Sequence, residues 1–274
     1  MAAYSLYWSE LTLRQRILTG VVAGALFVGL AIVGGWAYMA MILLLAVIGY
    51  AEFARMIGYA WHHPAALAGF AGLLLLAFPW PEAGLTAPEP LVSLWLLMFV
   101  LLSITVVTRN RVAVDQAALL LLGSLYIGIG FSAMIAVREM EPHGLFYTAL
   151  AFGCIWSSDI GAYFTGRAFG KHKLWPAISP NKTIEGAFGG ILLAVAVALV
   201  CALAAPAWIG LGKALLMGRV AAIAGQLGDL IQSAYKRVRG IKDTGNLLPG
   251  HGGVLDRCDS WLIVFPILTL TGLL

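Results

Sequence analysis

Charge is what this sequence has least of. Only 11% of its 274 residues are Asp, Glu, Lys or Arg, against about 25% in an average soluble domain, while 61% are hydrophobic and the mean hydropathy is +0.91. That balance excludes an ordinary soluble domain and reads as an integral membrane protein. Cysteine is scarce as well. Cys154, Cys201 and Cys258 are odd in number, lie in or beside apolar segments and lack metal-ligand spacing, so neither a disulfide framework nor a zinc site is indicated, only membrane-buried thiols. Walker-type and Rossmann glycine motifs are absent, which removes P-loop hydrolysis and dinucleotide redox. No internal repeat of fixed period is present. No cleavable signal peptide is expected either, because the first 20 residues carry Glu10, Arg14 and Arg16 and lead into an apolar run long enough to span. Residues 4 to 15 read as an interfacial lead-in helix. The formal charge of +4 is assigned to loops that set topology, and no nucleic-acid partner is expected.

What is present in quantity is apolar sequence. Runs of about 20 mostly apolar residues, the length a bilayer core requires, fall at 16 to 34, 36 to 54, 64 to 80, 90 to 108, 115 to 137, 145 to 165, 186 to 208, 214 to 235 and 255 to 274. The expected fold is therefore all-α, a polytopic transmembrane bundle of about nine helices forming one integral membrane domain over residues 1 to 274. Counting Lys and Arg on alternate loops puts thirteen on the side of the N-terminus and only Arg138 and Lys213 on the other, which predicts a cytoplasmic N-terminus. Residues 1 to 140 read mainly as scaffold. Within them Glu52 and Arg55, three residues apart at a helix end, are expected to form a surface ion pair, and His62 and His63 before Pro64 a solvated turn.

Residues 141 to 274 carry the polar chemistry. An ionisable residue inside a membrane segment is costly, so it marks a functional site by default. Asp159, Tyr163 and Arg167 recur every four residues along one helix face; Asp159 is either metal support or the acid of an internal tether to Arg167. The loop that follows contains Ser179, Lys182 and Thr183 just before an apolar helix, the hydroxyl, cationic and backbone donors that bind phosphate. Gln226, Asp229, Ser233 and Arg237 form a stripe on the next helix. Beyond it lie Lys236, Lys242 and a glycine-rich loop with His251, Gly252 and Gly253, glycines that let backbone approach a ligand. The last span opens with Asp256 and Asp259 on one face, with Arg257 between them. Carboxylates converging from two helices beside a cationic loop suit Mg²⁺, which takes one or two protein carboxylates and completes its shell with water and phosphate. The reaction class is phosphoryl or nucleotidyl transfer. A cation-coupled transporter with an intramembrane acidic site is the alternative, although the acids gather toward one face and no paired broken helices appear.

The stretch SAYKRVRGIKDTGNLLPGHGGVLDRCD, Ser233 to Asp259, resembles the long C-terminal motif of the phosphatidate cytidylyltransferases, membrane enzymes that make CDP-diacylglycerol. DIGAYFTGRAFGKHKLWPAISPNKTIEG, Asp159 to Gly186, is similar to that family's upstream elements. Tyr235 and Cys258 depart mildly from the pattern, and every charged position is kept. The resemblance implies condensation of phosphatidate with CTP, release of pyrophosphate and a requirement for Mg²⁺, with room for a second, monovalent cation and for a homodimer. The count of basic residues on alternate loops puts this site on the cytoplasmic face, and the expected location is the cytoplasmic (inner) membrane. Carried onto this chain, the resemblance makes Asp229 and Asp256 the metal ligands, with Asp259 a further ligand or a support for them. Lys236, Arg237, Lys242, His251 and Arg257 would hold phosphates. Ser179, Lys182, Thr183, Ser233, Asp159, Tyr163, Gly252 and Gly253 would line the substrate, and Glu185 would orient Lys182.

Overall fold

The structure, a computed structural model, describes the backbone of residues 2–247 and 252–274 and the side chains of residues 17–247 and 252–274. These residues form ten helices and one two-stranded sheet, in the order α1 (Ala2–Val33), α2 (Gly35–Ile57), α3 (Pro64–Ala77), α4 (Pro90–Val107), α5 (Val114–Arg138), α6 (Gly144–Phe169), β1 (Lys173–Trp175), β2 (Ser179–Thr183), α7 (Ile184–Ala204), α8 (Leu211–Val238), α9 (Leu255–Cys258) and α10 (Trp261–Leu270). Each of the nine expected segments contains a helix. Five helices, α2, α4, α5, α7 and α8, are long and apolar enough to cross a membrane, which makes this an integral membrane protein. The stretch Ile17–Val33 and helices α3 and α10 are apolar but shorter. The all-α expectation needs one amendment, the antiparallel β1–β2 hairpin, whose register pairs Lys173 with Thr183 and Trp175 with Ser179.

The chain divides into two compact units. The first comprises Met1–Ser124 and Asp243–Arg257. Gly34, at φ 69, separates α1 from α2, and Gly35, at φ 53, opens α2, backbone angles that side chains resist. Prolines stand at the start of α3 and α4, where a missing N–H costs nothing. His62 and His63 lie in the expected turn, with His62 exposed, and His63 Nδ1 also caps α3 by accepting from Ala65 N at 3.2 Å. Inside, the buried Tyr50 donates to Leu120 O at 3.2 Å and Ser124 to Gly69 O at 2.8 Å, satisfying polar groups that lipid and core cannot solvate.

The second unit comprises Leu125–Lys242 and Cys258–Leu274. Here α6 packs on α7, α7 on α8, and α8 on α10. Small residues permit the close approach, as is usual for helices in lipid. A Cβ at Gly190 of α7 would lie 2.7 Å from Ser158 O of α6, and one at Gly228 of α8 would lie 2.6 Å from Asp259 O. Two backbones thus run against α7 and α8 at positions next to polar side chains.

Candidate active site

Helix α8 supplies the stripe foreseen from sequence, and each member's partner lies in the second unit. Gln226 Nε2 donates to Ser158 Oγ on α6 at 3.3 Å and to Ala187 O on α7 at 3.1 Å. One turn on, Asp229 Oδ2 meets Lys182 Nζ at 2.5 Å, and Asp229 Oδ1 accepts from Ser233 Oγ at 3.2 Å. Arg237 Nε donates to Ile178 O and Nη1 to Ile241 O, both at 3.3 Å, so its guanidinium ties the end of α8 to the segment leading into β2.

The hairpin explains why Lys182 reaches Asp229. Strand β2 ends at Thr183, whose Oγ1 accepts from Gly186 N at 3.1 Å and caps α7. That bond satisfies one orphan donor of the helix start, and it fixes the residue beside Lys182. Ser179, half-buried, opens the same strand. Glu185 does not orient Lys182. Its carboxylate instead accepts from Lys171 N at 3.1 Å and His172 N at 3.2 Å, and meets His172 Nδ1 at 2.6 Å, because first-turn geometry aims it back at the loop before β1 rather than along β2.

Two further acids lie near this pair. Asp159 of α6 and Asp259 both lie within electrostatic reach of Asp229 and, more weakly, Asp259 within reach of Asp159. Lys182 opposes the charge of Asp159, and Lys236 that of Asp259. Asp259 Oδ1 is held by Ser260 N at 2.7 Å, and its carbonyl faces Tyr126 Oη at 3.5 Å. Among the described residues Arg167 pairs with Tyr163, Nη1 donating to Oη at 3.3 Å, and no Asp159–Arg167 tether forms. Tyr163 and Arg167 are exposed.

Asp256 belongs to the first unit. The expectation that Asp256 and Asp259 share one helical turn is corrected: α9 ends at Cys258, and a turn at Asp259–Ser260 precedes α10. Asp256 Oδ2 accepts from Thr244 N at 2.8 Å, Thr244 Oγ1 at 3.1 Å and Gly253 N at 2.9 Å. Gly252 sits at φ 83, and a Cβ at Gly253 would run into Glu52 and Thr244. The glycine pair therefore folds the loop tightly around carboxylates. Arg257 and Lys242 are exposed; His251 lies outside the described residues.

One residue of this loop's surroundings was misread from sequence. Glu52 is not a surface partner of Arg55 but is buried, at 4% exposure. Its Oε1 accepts from Val254 N at 2.9 Å, and its Oε2 from Leu255 N and Thr244 Oγ1 at 3.0 Å each. A signal was available, since Glu52 stands inside the apolar run 36 to 54, where an acid is expensive.

The sequence pattern of the cytidylyltransferase family matches residues 14–273. The chain belongs to this family. A phosphatidate cytidylyltransferase of Bacillus subtilis (strain 168) is 41% identical over 264 residues, covering 93% of this chain and 96% of that one. One from Staphylococcus epidermidis (strain ATCC 12228 / FDA PCI 1200) is 39% identical over 258 residues, with 94% and 98% covered. One from Staphylococcus aureus (strain COL) is 38% identical over 262 residues, again with 94% and 98% covered. Similarity to the family thus runs through α1 to α5 as well, where no motif stands out.

Proposed function

We propose that this protein is a phosphatidate cytidylyltransferase, joining phosphatidate to CTP to give CDP-diacylglycerol and pyrophosphate. The observation that carries the reading is the Lys182–Asp229 pair flanked by Asp159 and Asp259, built from the two stretches that resemble the family. A phosphate oxygen of phosphatidate attacks the α-phosphorus of CTP; the bond from that phosphorus to the bridging oxygen breaks, and pyrophosphate leaves with its electron pair. The nucleophile is already an anion, so no strong general base is required. Lys182, Lys236 and Arg237 hold phosphates, while Ser179, Thr183 and Ser233 fix the elements that present them. By the resemblance, Lys242, Arg257 and His251 would add cationic or donor capacity.

The donor set suits Mg²⁺. Carboxylate oxygens are the ligands it prefers, and it seldom takes more than two from protein; among the described residues no three acids, histidines or cysteines close on one point. By the resemblance, Asp229 and Asp256 would hold the ion, with Asp259 and Asp159 in support. When bound it supplies charge neutralisation at the triphosphate. A second, monovalent cation and a homodimer belong to the same reading by family analogy. The basic loops support a site on the cytoplasmic face of the inner membrane with the N-terminus inside and about nine crossings.

Purified protein in mixed micelles, given labelled CTP, phosphatidate and Mg²⁺, is expected to form labelled lipid and pyrophosphate in equal amounts. A transporter would form neither, and that result would overturn the proposal.

A further inference from the structure

The buried Glu52 has no place in the chemistry above, yet it is tied more closely to the motif loop than to its own helix. Two of its three bonds are to backbone N–H groups of Val254 and Leu255, and the third is to Thr244 Oγ1. Thr244 in turn reaches Asp256 Oδ2 through both its N–H and its hydroxyl. The hydroxyl has one proton for two acids, so Glu52, Thr244 and Asp256 form a single chain of contacts. The loop is shaped to admit Glu52 from two sides: a Cβ at Gly245 or at Gly253 would collide with its carboxylate. A carboxamide could not replace it, because both oxygens face N–H donors and an amide offers only one acceptor oxygen.

We propose that Glu52 is a positioning residue for the reaction, setting the place of Asp256 by holding Thr244, Val254 and Leu255 from helix α2. It touches no substrate and acts through Thr244, Val254 and Leu255. The inference rests on Asp256 taking part in cytidylyl transfer, as proposed above. A displacement of about 1 Å in a reacting constellation can cost on the order of 100-fold in rate, and this is the scale expected.

The test uses the full-length protein in lipid, with hydrogen exchange and steady-state kinetics measured side by side. Glu52→Gln is expected to speed amide exchange at Thr244, Gly253, Val254 and Leu255 while exchange in α7 and α8 stays as in the parent, and to lower kcat about 100-fold with little change in KM for CTP. Thr244→Val, which breaks the same chain from the loop side, should do likewise, and the double variant should lose far less than the product of the two losses. Glu52→Asp, which keeps two acceptor oxygens, should recover part of kcat. Unchanged loop exchange in Glu52→Gln overturns the positioning role whatever the activity, and so do multiplying losses in the double variant. Faster loop exchange with kcat intact would leave Glu52 a purely structural anchor and also overturns it. If Glu52→Gln loosens the whole protein, Thr244→Val alone decides by the same exchange readout. If the parent makes no CDP-diacylglycerol, the cytidylyltransferase reading fails by itself, and loop exchange still reports the anchor.

Discussion

At the scale of single residues, Asp229 and Glu52 show opposite sides of the rule that acids are costly inside membrane helices. Asp229 stood out from sequence because its neighbours on the stripe are polar too. Glu52 stood alone among apolar residues, and a nearby arginine offered a local explanation that proved wrong. Its true partners lie about two hundred positions further on, and no local spacing encodes such a contact. Each buried donor left without an acceptor costs about 1–3 kcal/mol. Glu52→Ala is therefore expected to lower the thermal unfolding midpoint by several degrees, whereas Glu185→Ala, made at the more exposed acid bonded to His172, should shift it little; differential scanning of the two variants checks this. Asp229→Asn is expected to abolish cytidylyl transfer in protein that inserts normally, read by the labelled-lipid assay. Near-parental turnover in that variant would remove Asp229 from the chemistry.

At the scale of elements, α8 was legible and the β1–β2 hairpin was not. Positions 226, 229, 233 and 237 follow the helical period, and the stripe they define does face α6, α7 and the hairpin. By contrast KLWPAISPNKT has no alternation of apolar and polar residues, so nothing in it signals a strand; the pairing of Lys173 with Thr183 emerges from the turn that closes it. The break between α9 and α10 was missed for a related reason, since apolar composition alone reads 255 to 274 as one run. Close helix contacts make a further prediction. Gly228→Val should force α8 away from the backbone at Asp259, which lies 2.6 Å from the position its Cβ would take. A cost of about 1–3 kcal/mol from overpacking and a loss of transfer activity are expected, with Gly24→Val, where a Cβ has open space, as the neutral comparison.

For the whole molecule, composition alone established a membrane protein, and the apolar runs foreshadowed where helices would lie. Sidedness is a stronger claim and has its own test. In a variant with Cys154, Cys201 and Cys258 replaced, a single cysteine at Asn110 should resist a membrane-impermeant thiol reagent applied to intact cells, and one at Gly212 should react. The opposite pattern would invert the orientation drawn from the basic loops.

The Lys182–Asp229 contact bears on biosynthesis. A charged side chain at the centre of an inserting helix costs about 2.5–3.5 kcal/mol, and α8 is the least hydrophobic of the five spans. The cation precedes the acid in the chain by 47 positions. Lys182 has therefore already left the ribosome when α8 emerges, so the most reluctant helix enters the bilayer with its counter-ion already made.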